Sequence, residues 1–287
     1  MPQYGNLEVL NTFLLVLSLV LGCMVGSFLN VCIWRLPRDE SIVRPPSHCP
    51  NCNTLLRAWD LVPLLSFLAQ RCKCRYCGAP ISWRYFTVEL ITAVYFTALY
   101  LMYGYDLLTL VAYALFGALL IAVFFIDLDH WIIPDQLSIA GILIGIGHEV
   151  IGLALRHRGY ELYRLPFPGL ANGLPMLQSI IGMAVSGGIF LAIATLSYYV
   201  FKKEALGGGD IKLAAAIGAN LALGHALLSF FLAVALGSVI GVGLIAIGRK
   251  TRKDYVPFGP MMVAGALIAI FYGAELIEMW RNYVGLS

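Results

Sequence analysis

Five stretches of at least 20 residues contain no Asp, Glu, Lys or Arg: Val9 to Trp34, Leu107 to Ile126, Leu165 to Phe201, Leu213 to Gly248 and Tyr255 to Ala274. About 20 apolar residues in helical form span the hydrocarbon core of a bilayer. In lipid the backbone must satisfy its own hydrogen bonds, which leaves only helices and closed barrels. Two more stretches tolerate one acid each, Tyr85 to Tyr105 around Glu89 and Gln136 to Leu155 around Glu149. Only 12% of the 287 residues are charged and 60% are hydrophobic, whereas soluble proteins are about 25% charged. The chain is therefore expected to be an all-α polytopic membrane protein.

Dividing the long runs at their breakers predicts about eight helices: 10–33, 86–104, 107–126, 136–155, 177–201, 210–222, 225–248 and 257–276. The sixth is too short to cross a roughly 30 Å core at about 1.5 Å per residue, so its neighbours should shelter it from lipid. Arg35 follows the first stretch rather than preceding it, and no small-residue cleavage site closes that stretch. It reads as a retained helix, not as a cleaved signal peptide.

Basic residues near helix ends mark the cytosolic side. With the first helix running inward, 15 of the 19 Lys and Arg residues fall on one side, among them Arg35, Arg38, Arg71, Lys73, Arg84, Lys212 and Arg249. Arg156, Arg158, Arg164 and Arg281 remain outside, and both termini are expected there. The net charge of +3 reports this topology, and no nucleic-acid partner is expected. The outer segment Arg156 to Pro175 reads as an extended connector.

The chain divides into a first helix (1–34), a polar segment (35–84) and a helical remainder (85–287). The polar segment holds Cys49-Pro50-Asn51-Cys52 and Cys74-Arg75-Tyr76-Cys77. Two CxxC pairs at this separation fit a tetrahedral four-thiolate zinc site. Disulfides are the competing reading, but structural disulfides are rare in a reducing cytosol. Cys72 could replace Cys74 as a ligand. So short a loop buries little core, so the metal is expected to be a structural staple. Cys23 and Cys32, inside the first helix, read as small buried hydrophobes.

Two acids stand at the rims of apolar runs. Asp127 ends the run Leu107 to Ile126, and Asp210 follows Gly207-Gly208-Gly209 at the head of the sixth helix. An acid inside or at the edge of a membrane helix is a functional-site hypothesis by default. The topology brings both to the cytosolic face from separate helices. Two neighbouring carboxylates share a proton, so one can act as base on a water while the other polarises a carbonyl. Asp210 alone is equally a helix cap, Asp135 reads as the cap of the fourth helix, and Asp129 and His130 read as solvated. The glycines would leave bare backbone for a substrate strand. They form no phosphate loop, since no Gly-Lys-Ser/Thr follows.

These residues carry a resemblance. Gly207-x-Gly209-Asp210, the Asp127 to Asp135 segment, Gly26-Ser27-Phe28-Leu29-Asn30-Val31 with Arg35-Leu36-Pro37, the paired CxxC loop and Val88-Glu89-Leu90-Ile91-Thr92-Ala93 together resemble the bacterial type IV prepilin peptidases. The chain departs from that family at Asp60-Leu61-Val62-Pro63, where an Asn is common, and at Cys72. The resemblance implies an intramembrane aspartyl protease of the bacterial inner membrane that removes the basic leader of prepilins or pseudopilins on the cytosolic side. It further implies N-methylation of the new terminus from S-adenosylmethionine, with Asp127 and Asp210 as catalytic acids and Cys49, Cys52, Cys74 and Cys77 as the metal cysteines. No Gly-rich Rossmann turn marks a donor pocket. An ion-coupled transporter using the two acids, or a non-catalytic zinc scaffold of pilus or secretion assembly, are the alternatives.

Overall fold

The computed structural model describes residues 2–156, 175–202, 206–249, 251 and 256–285; the expected connector between Arg156 and Pro175 lies outside them apart from its two ends. The described residues form eight α-helices: α1 (Pro2–Arg35), the short α2 (Leu65–Ala69), α3 (Trp83–Tyr103), α4 (Leu107–His130), α5 (Asp135–Arg156), α6 (Pro175–Phe201), α7 (Gly208–Ala246) and α8 (Gly259–Val284). All but α2 are long and apolar enough to cross a membrane, which makes the chain a multi-pass membrane protein. The 39-residue α7 is bent at Ala222 (φ 57°, ψ 171°), the position that divides 210–222 from 225–248 in the sequence. Its two arms, counted separately, bring the membrane helices to the eight expected.

The chain forms two compact units, residues 1–110 and 111–287. In the first, α1 packs along α3 because glycines let the backbones close. A Cβ on Gly22 would sit 2.7 Å from Ala93 Cα, and one on Gly26 would sit 2.7 Å from Glu89 Cα. Small residues allow such approach where lipid supplies no hydrophobic drive. The chain leaving α1 is then pinned by polar bonds. Buried Arg35 donates to the carbonyls of Ser41 (2.9 Å) and Pro45 (2.7 Å), and Asn30 donates to the Tyr85 carbonyl (3.0 Å). Glu89, buried in α3, accepts the Leu64 N–H at 2.7 Å and bonds the Ser27 hydroxyl. One acid of α3 thereby holds the middle of the polar loop, satisfying a group that would otherwise be costly to bury.

In the second unit α7 is the central element, packed by α5, α6 and α8. Its first arm buries Leu213, Ala214, Ala216, Ile217, Gly218, Ala219 and Leu221. The closest crossing joins Gly182 of α6 to Gly218, where a Cβ on either would overlap the other's carbonyl oxygen. The neighbouring Ser179 hydroxyl donates to the Ala219 carbonyl. Asn220 donates to the Gly141 carbonyl of α5 (2.8 Å). The short sixth segment of the sequence is thus walled in by neighbours, as its length requires.

The helix α4 runs one turn past the end of its uncharged run. The N–H of Trp131 still bonds the Asp127 carbonyl (3.0 Å), and the left-handed Trp131 (φ 61°) turns the chain before Pro134 admits the next helix.

Candidate active site and metal centre

The polar loop of the first unit is built from two near-copies of one turn. The N–H of Cys49 bonds the Thr54 carbonyl (3.0 Å), and the N–H of Asn53 bonds the Cys49 carbonyl (2.8 Å). The pattern returns as Cys74 to Ala79 (2.8 Å) and Gly78 to Cys74 (2.9 Å). Each turn is closed by an isolated antiparallel bridge, His48 with Leu55 and Lys73 with Pro80. Asn53 (φ 54°) and Gly78 (φ 71°) take the left-handed position that each turn needs.

The Sγ atoms of Cys49, Cys52, Cys74 and Cys77 lie within 4.8 Å of one another, with Cys49 and Cys77 at 3.9 Å. A zinc–sulfur bond of about 2.3 Å in a tetrahedron implies sulfur separations of about 3.8 Å, so four thiolates here fit a metal ion. Cys72 is not in the cluster. Its N–H bonds the Phe67 carbonyl and its carbonyl accepts from Ile81, which makes Cys74 the fourth member.

Donors around the sulfurs suit thiolates. The Thr54 hydroxyl and amide pull the Cys52 thiol down, as do the Cys77 and Tyr76 amides at Cys74, and Asn51 with the Ala79 amide at Cys77. Burial pushes Cys49 up to about 11, the position where a cation would contribute most to keeping the sulfur charged.

Asp60, in the Asp60-Leu61-Val62-Pro63 stretch where the chain departs from the resemblance, is fully used. Its side chain is 2% exposed and accepts from Tyr76 Oη (2.7 Å), the Arg57 N–H (3.1 Å) and Gln70 Nε2 (3.3 Å), with Arg75 Nε at 3.5 Å. The Tyr76 hydroxyl above all, then the Arg57 amide and the nearby guanidinium charges, hold this carboxyl below the usual range despite its burial. Tyr76 lies between Cys74 and Cys77, so the acid ties the second cysteine turn to the turn at 58–61.

In the second unit Asp127 and Asp210 come together, close enough for their charges to act on one another. Asp127 is 6% exposed in the last turn of α4. Its carboxylate accepts the backbone N–H of Gly259, the first residue of α8. A Cβ on Gly259 would lie 2.5 Å from Asp127 Oδ2.

Asp210 is the third residue of α7 and performs the cap as well: its Oδ2 accepts the Gly207 N–H (3.1 Å), while its own N–H bonds the Gly207 carbonyl (3.1 Å). Capping and pairing with Asp127 therefore coexist in one carboxylate. Asp129 and His130 are exposed. Asp135 opens α5, and its carboxylate accepts from Lys212 Nζ at 2.6 Å, joining the heads of α5 and α7 beside the acids.

Two neighbours of the acids escaped the sequence reading. Gly259, in Pro257-Phe258-Gly259-Pro260, bonds Asp127, and Ile133 lies against both Gly209 and Gly259. Glycine flanked by prolines at the head of an apolar run is the one available signal for the first, and Ile133 carries none.

Family comparison covers residues of both units. Residues 20–103 match the bacterial peptidase A24 N-terminal domain, and residues 114–242 match the type IV leader peptidase family. A prepilin leader peptidase/N-methyltransferase of Bacillus subtilis is 33% identical over 266 residues, 91% of this chain and 95% of the relative. One from Neisseria gonorrhoeae is 32% identical over 302 residues, 96% of each. One from Myxococcus xanthus is 41% identical over 232 residues, where the match spans 80% of this chain and 63% of that relative's length. No solved structure matches. With an N-terminal unit carrying the cysteine loop and a helical unit pairing two acids, this chain belongs to the type IV leader peptidase family.

Proposed function

We propose that the chain is an intramembrane aspartyl endopeptidase that removes the basic leader of type IV prepilins or pseudopilins, with Asp127 and Asp210 as its catalytic acids. The observation that carries this reading is the approach of the two carboxylates to within range of each other's charge, one held by the Gly259 N–H and the other by the Gly207 N–H. Donors on each fix the carboxylates in place and leave the pair to share a proton. The charged partner takes a proton from water as the oxygen attacks the scissile carbonyl. The protonated partner donates to the carbonyl oxygen, and collapse of the tetrahedral intermediate expels the amine with a proton returned from the dyad.

The substrate matches the topology inferred from the basic residues. A basic leader stays in the cytosol while its apolar segment enters the bilayer, which brings the junction to the depth of the acids. This reading sets the enzyme in the bacterial inner membrane with its site near the cytosolic face. Residues 35–84 form the cytosolic zinc-stapled domain and 85–287 the peptidase domain, with Cys49, Cys52, Cys74 and Cys77 holding a structural zinc. The relatives' name supports a second activity, N-methylation of the freed terminus; S-adenosylmethionine, when bound, supplies the electrophilic methyl group for the amine.

The test is cleavage of a tagged prepilin by purified enzyme, with and without S-adenosylmethionine, read by mass spectrometry. Asp127→Asn and Asp210→Asn should each lower cleavage by about 10³-fold or more while remaining folded, and Asp129→Asn should keep activity. Full cleavage by either of the first two would refute the two-acid reading.

A further inference from the structure

We propose that Ile133 is a positioning residue for peptide cleavage, a spacer that sets how closely the heads of α7 and α8 approach and so where Asp210 stands relative to Asp127. The inference rests on the two-acid reading above and deepens it.

Three distances carry it. A Cβ on Gly209 would lie 2.9 Å from Ile133 Cβ and 3.3 Å from the Ile133 carbonyl oxygen, and a Cβ on Gly259 would lie 3.3 Å from Ile133 Cδ1. The branched side chain is therefore seated between two glycine backbones. One immediately precedes Asp210, and the other bonds Asp127 through its N–H. Ile133 follows Asp127 by six residues, and the turn at Trp131 and the buried Pro134 hold it in place. The β-branched side chain has few rotamers, which suits a spacer better than a flexible residue of equal volume.

The glycines before Asp210 thereby acquire separate reasons. Gly209 has no side chain because Ile133 occupies that space. Gly208, by contrast, opens onto nothing within 4 Å among the described residues, and a Cβ on Gly207 would make only ordinary contact with Asp210 Oδ2 at 3.5 Å. A bare backbone reserved for a substrate strand predicts the same intolerance at all three positions. A spacer predicts intolerance at Gly209 that depends on Ile133.

The experiment is a double-mutant cycle on prepilin cleavage, reading kcat and KM separately, with wild type and Asp127→Asn as references and with helicity and monodispersity measured for every variant. Ile133→Val removes Cδ1, the atom facing Gly259, and keeps Cβ; it should fold and lose about threefold in kcat. Ile133→Ala should lose about tenfold or more, as displacement of a reacting group by a fraction of an ångström does, with KM within about twofold. Gly209→Ala should be severely impaired. Combined with Ile133→Gly, which removes the Cβ it collides with, it should lose less than the product of the two single effects.

Multiplicative losses, or wild-type kcat in both Ile133→Val and Ile133→Ala, would overturn the spacer, and so would an effect confined to KM. If those outcomes occur while wild type cleaves and Asp127→Asn does not, the two-acid reading stands alone. If wild type leaves the prepilin intact, or Asp127→Asn cleaves it, both fall.

Discussion

Asp60 shows how much one side chain in the polar loop can carry. Four groups converge on its carboxylate, and Asp60→Asn replaces one acceptor oxygen with an NH₂ that faces donors. The loss of a charged acceptor among buried donors costs about 1–3 kcal/mol. Limited proteolysis should therefore cut the loop of Asp60→Asn faster than that of the wild type, at equal helical content. The pH dependence follows from the same bonds. The carboxyl is held below its ordinary value of 3.8, so its contribution is complete above that pH and is lost as pH falls through the lower folded-state value. Between neutral pH and 3.8 Asp60 therefore adds no pH dependence of its own, and any loss of loop resistance to an acid-tolerant protease in that range should track release of the metal, read in the same samples by elemental analysis. At this scale the acids and cysteines were legible, because an acid in an apolar run and paired CxxC spacing are chemical signals in themselves. Gly259 and Ile133 were not. Their roles arise from atoms brought together by helices far apart in the chain, and neither residue type is unusual where it stands.

Among the elements, α7 gives the sharpest test. Ala222 occupies φ 57°, ψ 171°, a region that is essentially glycine's own, and a non-glycine residue there costs about 1–3 kcal/mol. Ala222→Gly should relieve that strain against a loss of chain rigidity in the unfolded state. The net expectation is a stabilisation of about 1 kcal/mol, measured by thermal unfolding in detergent, with the bend retained; a drop in midpoint would show that Ala222 is not strained. The apolar runs foretold every long helix. The bend was legible as the boundary between 210–222 and 225–248, where the non-helical Ala222 stands. The close packing of α6 and α5 around Gly218 and Ala219 was not. The end of α4 was also read one turn short, because charge at Asp127 and Asp129 stops an apolar run without stopping a helix.

Taken whole, the molecule joins a loop stapled by thiolates to a set of membrane helices, and the two should fail separately. Cys52→Ser should release its metal, detectable as zinc lost in elemental analysis of the purified protein, and expose residues 49–77 to protease while the circular dichroism of the membrane helices stays unchanged. Zinc retained at wild-type stoichiometry would count against the four-thiolate centre. The pairing of two like turns also fixes a timetable. Each turn brings only half the ligands, so the centre cannot close until residue 77 has left the ribosome. By then α1 has emerged, while α3, already polymerised, still lies in the exit tunnel. A metal held by the four thiolates would be captured from that moment on, which ties the yield of finished loop to metal supply.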